Sequence, residues 1–428
     1  MGKWNIKNNV TIGIMRAKNS VSAFRLRYLP SLLFCVIATI LIYAPYQSES
    51  PLGGGALHDV LYIVVCFLMA IVVVCLLPIV KKEKITRESL LAMIPAFVLV
   101  LFNIMHRNGD ASIGGVISVL WVIFCAFPAD MKRKTFLYFR NVWVVICIVG
   151  IVCYLAFLIN APLPWREVSY YWGGDSLKYI DYGVSFLYKD RLMVRLCGIC
   201  NEPGLLGTIS ALFLCADKMN LRRKSNIIIF IAGLMTFSVA FIIMILVYVL
   251  GRFIILTIKE KNRRKKIYRM AVLFTCLLAW IFVLPNIHTG NSMIDYTLQR
   301  LALTSDGMLA GDNRTTAAFD KEFDRTFSQN PLFGQGKGYV NEMGLEKNLS
   351  YKIYLLEYGI VGCVLIWGTL AVAVMRKNMK NFEIMLFVLV FFISIYQRPL
   401  IITPSYAIVL LGGVEYLKSL VCNAKNYH

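Results

Sequence analysis

On a helix, Arg314, Lys321 and Arg325 of GDNRTTAAFDKEFDRTFSQNPLFGQGKGYV fall within about 40° of one another, with Phe319, Phe323 and Phe327 opposite. A line of cations held against a surface by its Phe face can clamp an anion. Arginine suits phosphate oxygens because its planar fork binds two of them and keeps its charge. The same residues equally fit a solvated face paired with Asp320, Glu322 and Asp324. Asp312 or Asn313 is placed to cap this helix, and Pro331 and Gly334 to end it. The following GQGKG, Gly334 to Gly338, either adds backbone N–H donors in a tight turn or is an ordinary loop. It lacks the strand-turn-helix setting of a nucleotide fold.

A second cluster lies upstream in DRLMVRLCGICNEPGLLGT, where Arg191, Arg195 and Glu202 precede an apolar run. Pro203 fits a first helical turn and Glu202 sits beside its positive end, so a helix cap is the default role for this carboxylate. The same region is rich in aromatics, among them Trp165, Tyr171 and Trp172. Rings with an apolar face and a polar tip suit sugars and the lipid interface alike. The four histidines show no ligand spacing, and no metal or cofactor is expected. Cys197 and Cys200 form a C-x-x-C without the thioredoxin-like setting that redox chemistry needs.

The elements that must position these residues are membrane helices. The chain is 58% hydrophobic and 16% charged, with a mean hydropathy of +0.65, well above the roughly 45–50% apolar content of soluble domains. Twelve apolar runs are candidate spans: 29 to 45, 58 to 80, 88 to 105, 113 to 128, 141 to 159, 204 to 216, 226 to 236, 238 to 256, 270 to 286, 351 to 374, 381 to 396 and 401 to 418. A net charge of +21 would suggest nucleic acid in a soluble protein. Here 31 of the 45 Lys and Arg residues fall in seven segments that alternate with nearly neutral ones: 1 to 28, 81 to 88, 129 to 140, 217 to 225, 251 to 269, 375 to 380 and 418 to 428. That is the positive-inside pattern, so the charge reports topology and no nucleic-acid partner is expected.

Residues 226 to 256 read as one apolar stretch of about 46 Å, against a hydrocarbon core of about 30 Å. A single span would also place the basic KEKNRRKK at 259 to 266 outside. Two helices meeting near Thr236-Phe237-Ser238 return it to the cytoplasm. Both termini are then cytoplasmic, and the first span serves as its own insertion signal. The expected organisation is an N-terminal segment 1–28, spans over 29–159, a large periplasmic loop 160–203, spans over 204–286, a second large loop 287–350, spans over 351–418 and a tail 419–428. The fold class is all-α and polytopic, with short helices in the two large loops.

In order along the chain, RLCGICNEPGLLGT, the TFS hairpin, NRTTAAFDKEFDRTFSQNPLFGQGKG and SYKIYLLEYGIVG resemble bacterial O-antigen polymerases of the Wzy type, over roughly residues 190 to 375. The first five spans match only in general layout. The resemblance implies a GT-C-like glycosyltransferase of the inner membrane, active at the periplasmic face in lipopolysaccharide biosynthesis. Undecaprenyl-pyrophosphate-linked oligosaccharides would be donor and acceptor, membrane lipid would surround the chain, and a chain-length regulator protein would be a partner. It implies Arg195, Arg314 and Arg325 as functional arginines; by residue type and position, Arg191, Lys321 and Arg398 are further candidate pyrophosphate contacts and Trp165, Tyr171 and Trp172 candidate sugar contacts. Departure of pyrophosphate builds negative charge that preorganised cations stabilise. The acceptor hydroxyl needs a base or an orienting acceptor, for which Glu202 and then Asp312 are the candidates.

O-antigen ligases share this architecture but carry a His-Asn pair where this chain has Asn348 and Leu349, counted back from Glu357 and Gly359. A ligase is thus the alternative reading. A flippase for the same lipid-linked material is the alternative of another class. It should keep charged groups in its spans, where only Glu357 lies clearly inside one.

Overall fold

Apolar segments without water to satisfy their N–H and C=O groups must close those bonds internally, and each of the twelve apolar runs contains a helix. The computed structural model describes residues 27–46, 55–105, 111–172, 175–189, 193–279, 283, 286–302, 315–344, 350–396, 398–399 and 401–425. We label the helices α1 (Leu29–Ile42), α2 (Gly55–Lys82), α3 (Arg87–Met105), α4 (Ala111–Ala126), α5 (Ala129–Leu158), α6 (Pro203–Ala216), α7 (Lys224–Met235), α8 (Val239–Ile258), α9 (Arg263–Leu278), α10 (Ser292–Gln299), α11 (Ala317–Phe327), α12 (Tyr351–Met375), α13 (Phe382–Ile395) and α14 (Pro404–Cys422). Among the described residues, five of them, α2, α5, α8, α12 and α14, are long and apolar enough to cross a membrane. Shorter apolar helices, α1, α6, α7 and α13 among them, pack beside these. The protein is a helical membrane protein.

The centre is aromatic. Phe136, Phe139 and Trp143 of α5 meet Phe213 of α6 at ring-centroid distances of 5.3, 5.7 and 6.0 Å, and Trp143 Nε1 donates to Ser210 Oγ at 3.0 Å.

The chain is not all-α. Where short helices were expected in the first large loop, residues 166–198 form a four-stranded antiparallel meander in the order β1 (Arg166–Trp172), β2 (Asp175–Asp181), β3 (Phe186–Lys189) and β4 (Val194–Gly198). The reason lies in residue type. The strands are rich in β-branched and aromatic residues, and Gly173-Gly174 between β1 and β2 is a hairpin signal. Tyr179, Ile180, Phe186, Leu187 and Leu196 are buried, so the sheet lies against the helices rather than in solvent.

The stretch 226–256 is two helices, as length and charge require. α7 ends at Met235 and α8 starts at Val239, with Phe237 left-handed at φ +45°. Glycine normally takes that position after a helix, and Phe there is strained by about 1–2 kcal/mol. Close approach secures the bend: a Cβ on Gly207 of α6 would lie 3.0 Å from both Ser238 Cβ and Thr236 Oγ1.

The basic segments meet at the opposite end of the bundle from the sheet. Arg27 pairs with Glu83 and Asp130, Arg140 and Arg223 with Asp217, and Lys377 with Glu88. Helix α5 begins at Ala129, twelve residues before the apolar run, and so carries Lys132 and Arg140 as helical residues within its first turns. Both precede the apolar run 141 to 159, on the basic end of the helix.

Candidate functional site

Strand β4 and the start of α6 bring Arg195 and Glu202 to one place. Arg195 Nε donates to the Thr236 carbonyl at 2.9 Å and Nη2 to the Phe237 carbonyl at 3.3 Å. These are carbonyls at the C-terminal end of α7, where backbone acceptors lack helical partners and the dipole favours a cation. Arg195 thus fastens the strained hairpin to the sheet, and among the described residues its Nη1 makes no hydrogen bond. Burial lowers its pKa, and the approach of Arg300, just past α10, lowers it further. The charge of Arg300, in the second large loop, thus acts on Arg195 in the first.

Glu202 precedes Pro203 at the N-cap of α6, but its side chain makes no cap hydrogen bond. It pairs with Arg398 instead, Nη2 to Oε2 at 2.6 Å, across 196 positions of sequence. The Arg398 side chain is 11% exposed and that of Glu202 31%. Burial works against the Arg398 charge, yet Glu202 and Tyr406 more than offset it and raise its pKa. Arg398 Nε is buried with no hydrogen-bond partner among the described residues. The default expectation of a cap for Glu202 therefore gives way to an ion pair with Arg398. An Arg398–Glu202 ion pair with the Arg195 guanidinium nearby can hold an anion and orient a hydroxyl.

Around this group, Tyr188 is the cross-strand partner of Arg195, and the Tyr179 and Tyr188 rings meet edge-on at 5.4 Å. Tyr179 donates to the Asn201 carbonyl at 3.0 Å. Cys197 and Cys200 are both buried free thiols, and burial raises their pKa well above the usual range, which disfavours the reactive thiolate.

The predicted clamp on the second loop is built differently. Thr316, not Asp312 or Asn313, caps α11, accepting from the Phe319 N–H at 3.2 Å. A hydroxyl three residues before that N–H closes the first turn, so the helix starts after Arg314 rather than before it. Its cationic stripe is then Lys321 and Arg325 alone. Asp312, Arg314 and Arg191 lie outside the described residues. The Phe face packs as expected: Phe319 is buried with Val340 and Leu356, and Phe323 and Phe327 lie beside them. Lys321 is exposed, and Arg325 pairs with Glu322 at 2.7 Å. Arg325 thus follows the ion-paired reading, and no described contact joins Lys321 or Arg325 to the Arg195 group.

Glu322 also accepts from Thr326 and Tyr339, each at 2.7 Å. The Arg325 hydrogen bond first, and then these two hydroxyls, pull its pKa down to about 2. A carboxyl depressed in the folded state stabilises α11 fully above its ordinary value of 4.5, and that contribution is lost as pH falls toward about 2. Amide exchange in α11 should therefore accelerate over that window, relative to α12, after correction for intrinsic rates. Glu322→Gln should show the faster exchange already at pH 7, and pH-independent protection of α11 would refute this.

The glycine loop is not an open nest. Gln335 N–H donates to the Leu356 carbonyl at 2.7 Å, Gly336 N–H to the Glu357 carbonyl at 3.0 Å, and Gly338 N–H to Glu357 Oε1 at 2.9 Å. Helix α12 is broken at Gly359, φ +64° and ψ −175°, and the Pro331 and Leu332 carbonyls accept from Ile360 and Val361 at 2.8 and 3.0 Å. A side chain at Gly359 would run into the Leu332 backbone, which is why only glycine fits. These amides complete a discontinuous helix and are not available to a phosphate.

Of the sugar-contact candidates, Trp165 is exposed and meets Phe157 at the end of α5 edge-on at 6.1 Å, a position suited to an interface ring. Tyr171 and Trp172 lie on β1, at the hairpin with β2. Sequence reasoning missed Arg300 and the hairpin carbonyls. No local signal marks Arg300, whereas the bend at 236–238 could have pointed to a cation that caps it. Among the described residues no group of His, Cys, Asp and Glu is arranged to hold a metal ion.

Comparison with protein-family models, curated proteins and solved structures finds no match to this chain.

Proposed function

We propose that the chain is a polysaccharide polymerase of the bacterial inner membrane, a GT-C-like glycosyltransferase. It moves a growing glycan from undecaprenyl pyrophosphate onto the terminal sugar of a new lipid-linked repeat unit. The observation that carries this reading is the Arg398–Glu202 ion pair with Arg195 nearby, held at the end of the bundle where the sheet lies. The acceptor hydroxyl attacks the anomeric carbon as the bond to the pyrophosphate oxygen breaks, and negative charge grows on the leaving group. Guanidiniums fixed in a partly dry site stabilise that charge without reorganising. Glu202, beside Arg398, orients the attacking hydroxyl.

The charge distribution supports the orientation. Basic residues gather at the other end, which supports a reading with that end and both termini in the cytoplasm, and the sheet, α10 and α11 on the periplasmic face. In this reading all twelve helical runs traverse the membrane, α7 and α8 as a bent pair.

The test is a gel of surface glycans from cells lacking the protein. The expected result is single repeat units on the lipid A core in place of a ladder. Polymer stranded on its lipid carrier would instead identify a ligase, and an unchanged ladder would refute both. Polymer made from lipid-linked units by the purified protein in detergent, where no second compartment exists, would set transport aside.

A further inference from the structure

At the end of the bundle opposite the sheet, a cavity of 410 Å³ lies between the turn joining α2 to α3, the first turns of α3 and α5, and the ends of α12 and α14. Lys132 forms part of its wall and is 8% exposed. Its Nζ donates to Ser89 Oγ at 2.9 Å, and among the described residues this neutral hydroxyl is its one hydrogen-bond partner. The carboxylates lining the cavity are each held by another cation: Glu83 by Arg27 at 2.7 Å, Glu88 by Lys377 at 2.9 Å and Glu415 by Lys418 at 2.7 Å. Asp130, in the first turn of α5, is taken by Arg27 and by the Tyr28 hydroxyl at 2.9 Å. Residues 1–26 contain no Asp or Glu.

Lys132 is thus a buried amine with no hydrogen-bonded carboxylate among the described residues, the nearby Glu415 being taken by Lys418, and a buried charge is costly unless something compensates it. Its surroundings are arranged for an anion. Ser89 Oγ accepts from both Lys132 and Thr86 Oγ1, the latter at 3.2 Å, which leaves its own proton to donate. The N-cap of α5, Pro128, supplies no side-chain bond to the first-turn N–H groups, whereas at the start of α3 Thr86 Oγ1 already accepts from the Ser89 N–H at 3.2 Å. At about 30 Å³ per water, the space exceeds what a bare phosphate fills, so room remains for an attached organic group.

We propose that this cavity binds a phosphate ester, with Lys132 and the Ser89 hydroxyl as the ligands of its phosphate. The site is separate from the periplasmic one and stands whether or not the polymerase reading holds. The phosphate belongs either to a lipid headgroup or to a soluble ester, and the two are separable by experiment.

The thermal stability of the full-length protein in a nonionic detergent is measured with added dihexanoylphosphatidylglycerol, and separately with glycerol 3-phosphate. Binding to the folded state alone raises the melting temperature with ligand concentration. A rise with both probes indicates headgroup recognition open to soluble esters, and a rise with the lipid alone indicates a lipid site. Either rise should vanish in Lys132→Gln. It should also vanish in Ser89→Asp, which supplies the missing carboxylate and should fold at least as stably as the wild type, so the test survives if Lys132→Gln does not fold. No rise with either probe, a rise that persists in Ser89→Asp, or a Ser89→Asp protein less stable than wild type overturns the proposal.

Discussion

Asp217→Ala is expected to lower the stability of the purified protein by about 3–5 kcal/mol, the range for breaking a buried ion pair by removing one partner. Asp217 is 2% exposed and receives bonds from four side chains: Arg140 at 3.1 Å, Arg223 at 2.8 and 3.0 Å, Asn226 at 2.8 Å and Tyr416 at 2.8 Å. Those partners belong to α5, to α7 and the turn before it, and to α14, so one carboxylate ties three helices and the end of α6 together. Without it Arg140, 6% exposed, keeps Ser225 Oγ at 2.9 Å and Asn226 Oδ1 at 2.7 Å but loses its counter-charge. With a total stability of about 5–15 kcal/mol for a typical fold, little of the variant should reach the membrane intact. Asp217→Asn keeps the shape and part of the hydrogen bonding, and should fall between. A melting temperature for Asp217→Ala equal to that of the wild type would show that the network is not what holds this end.

How far the sequence could lead depended on whether a feature was set by the bilayer or by long-range packing. The break at 236–238 was legible because a stretch of apolar residues too long for the membrane had to bend, and because the basic KEKNRRKK had to return to the side of its fellows. The Phe face of α11 was legible for the same kind of reason, a period of 3.6 that a surface must satisfy. The sheet was missed because its strands are short and sit between membrane runs, where β-branched and aromatic residues also read as interface anchors. The Asp312 cap was misplaced because several polar residues precede α11 and only local geometry selects Thr316. Glu202 and Arg398 were each singled out, but their pairing across 196 positions is a property of the folded bundle alone. The glycine loop stayed open between a donor turn and an ordinary loop because nothing in GQGKG tells that its amides meet a helix interrupted at Gly359.

The same pairing gives the largest expected effect on activity. Arg398→Ala removes one cation and leaves Glu202 beside an empty space, while Glu202→Gln removes the orienting carboxylate and leaves Arg398 with a neutral partner. Each should reduce polymer formation by the purified protein about 10²–10³-fold, the scale seen when one preorganised group that stabilises developing charge is removed. Loss of activity in single variants does not by itself separate a chemical role from a structural one, because each leaves one charge without its partner. The exchanged double variant, Glu202→Arg with Arg398→Glu, does separate them. It restores the ion pair, and with it the level of protein in the membrane, but moves the carboxylate to the turn before α14 and the guanidinium to the start of α6. If the pair orients a hydroxyl and holds a pyrophosphate, that protein is stable and inactive. If polymer formation returns together with stability, Glu202 and Arg398 serve only to fasten α6 to the turn before α14, and the anion must be held by Arg195 and Arg300 without them.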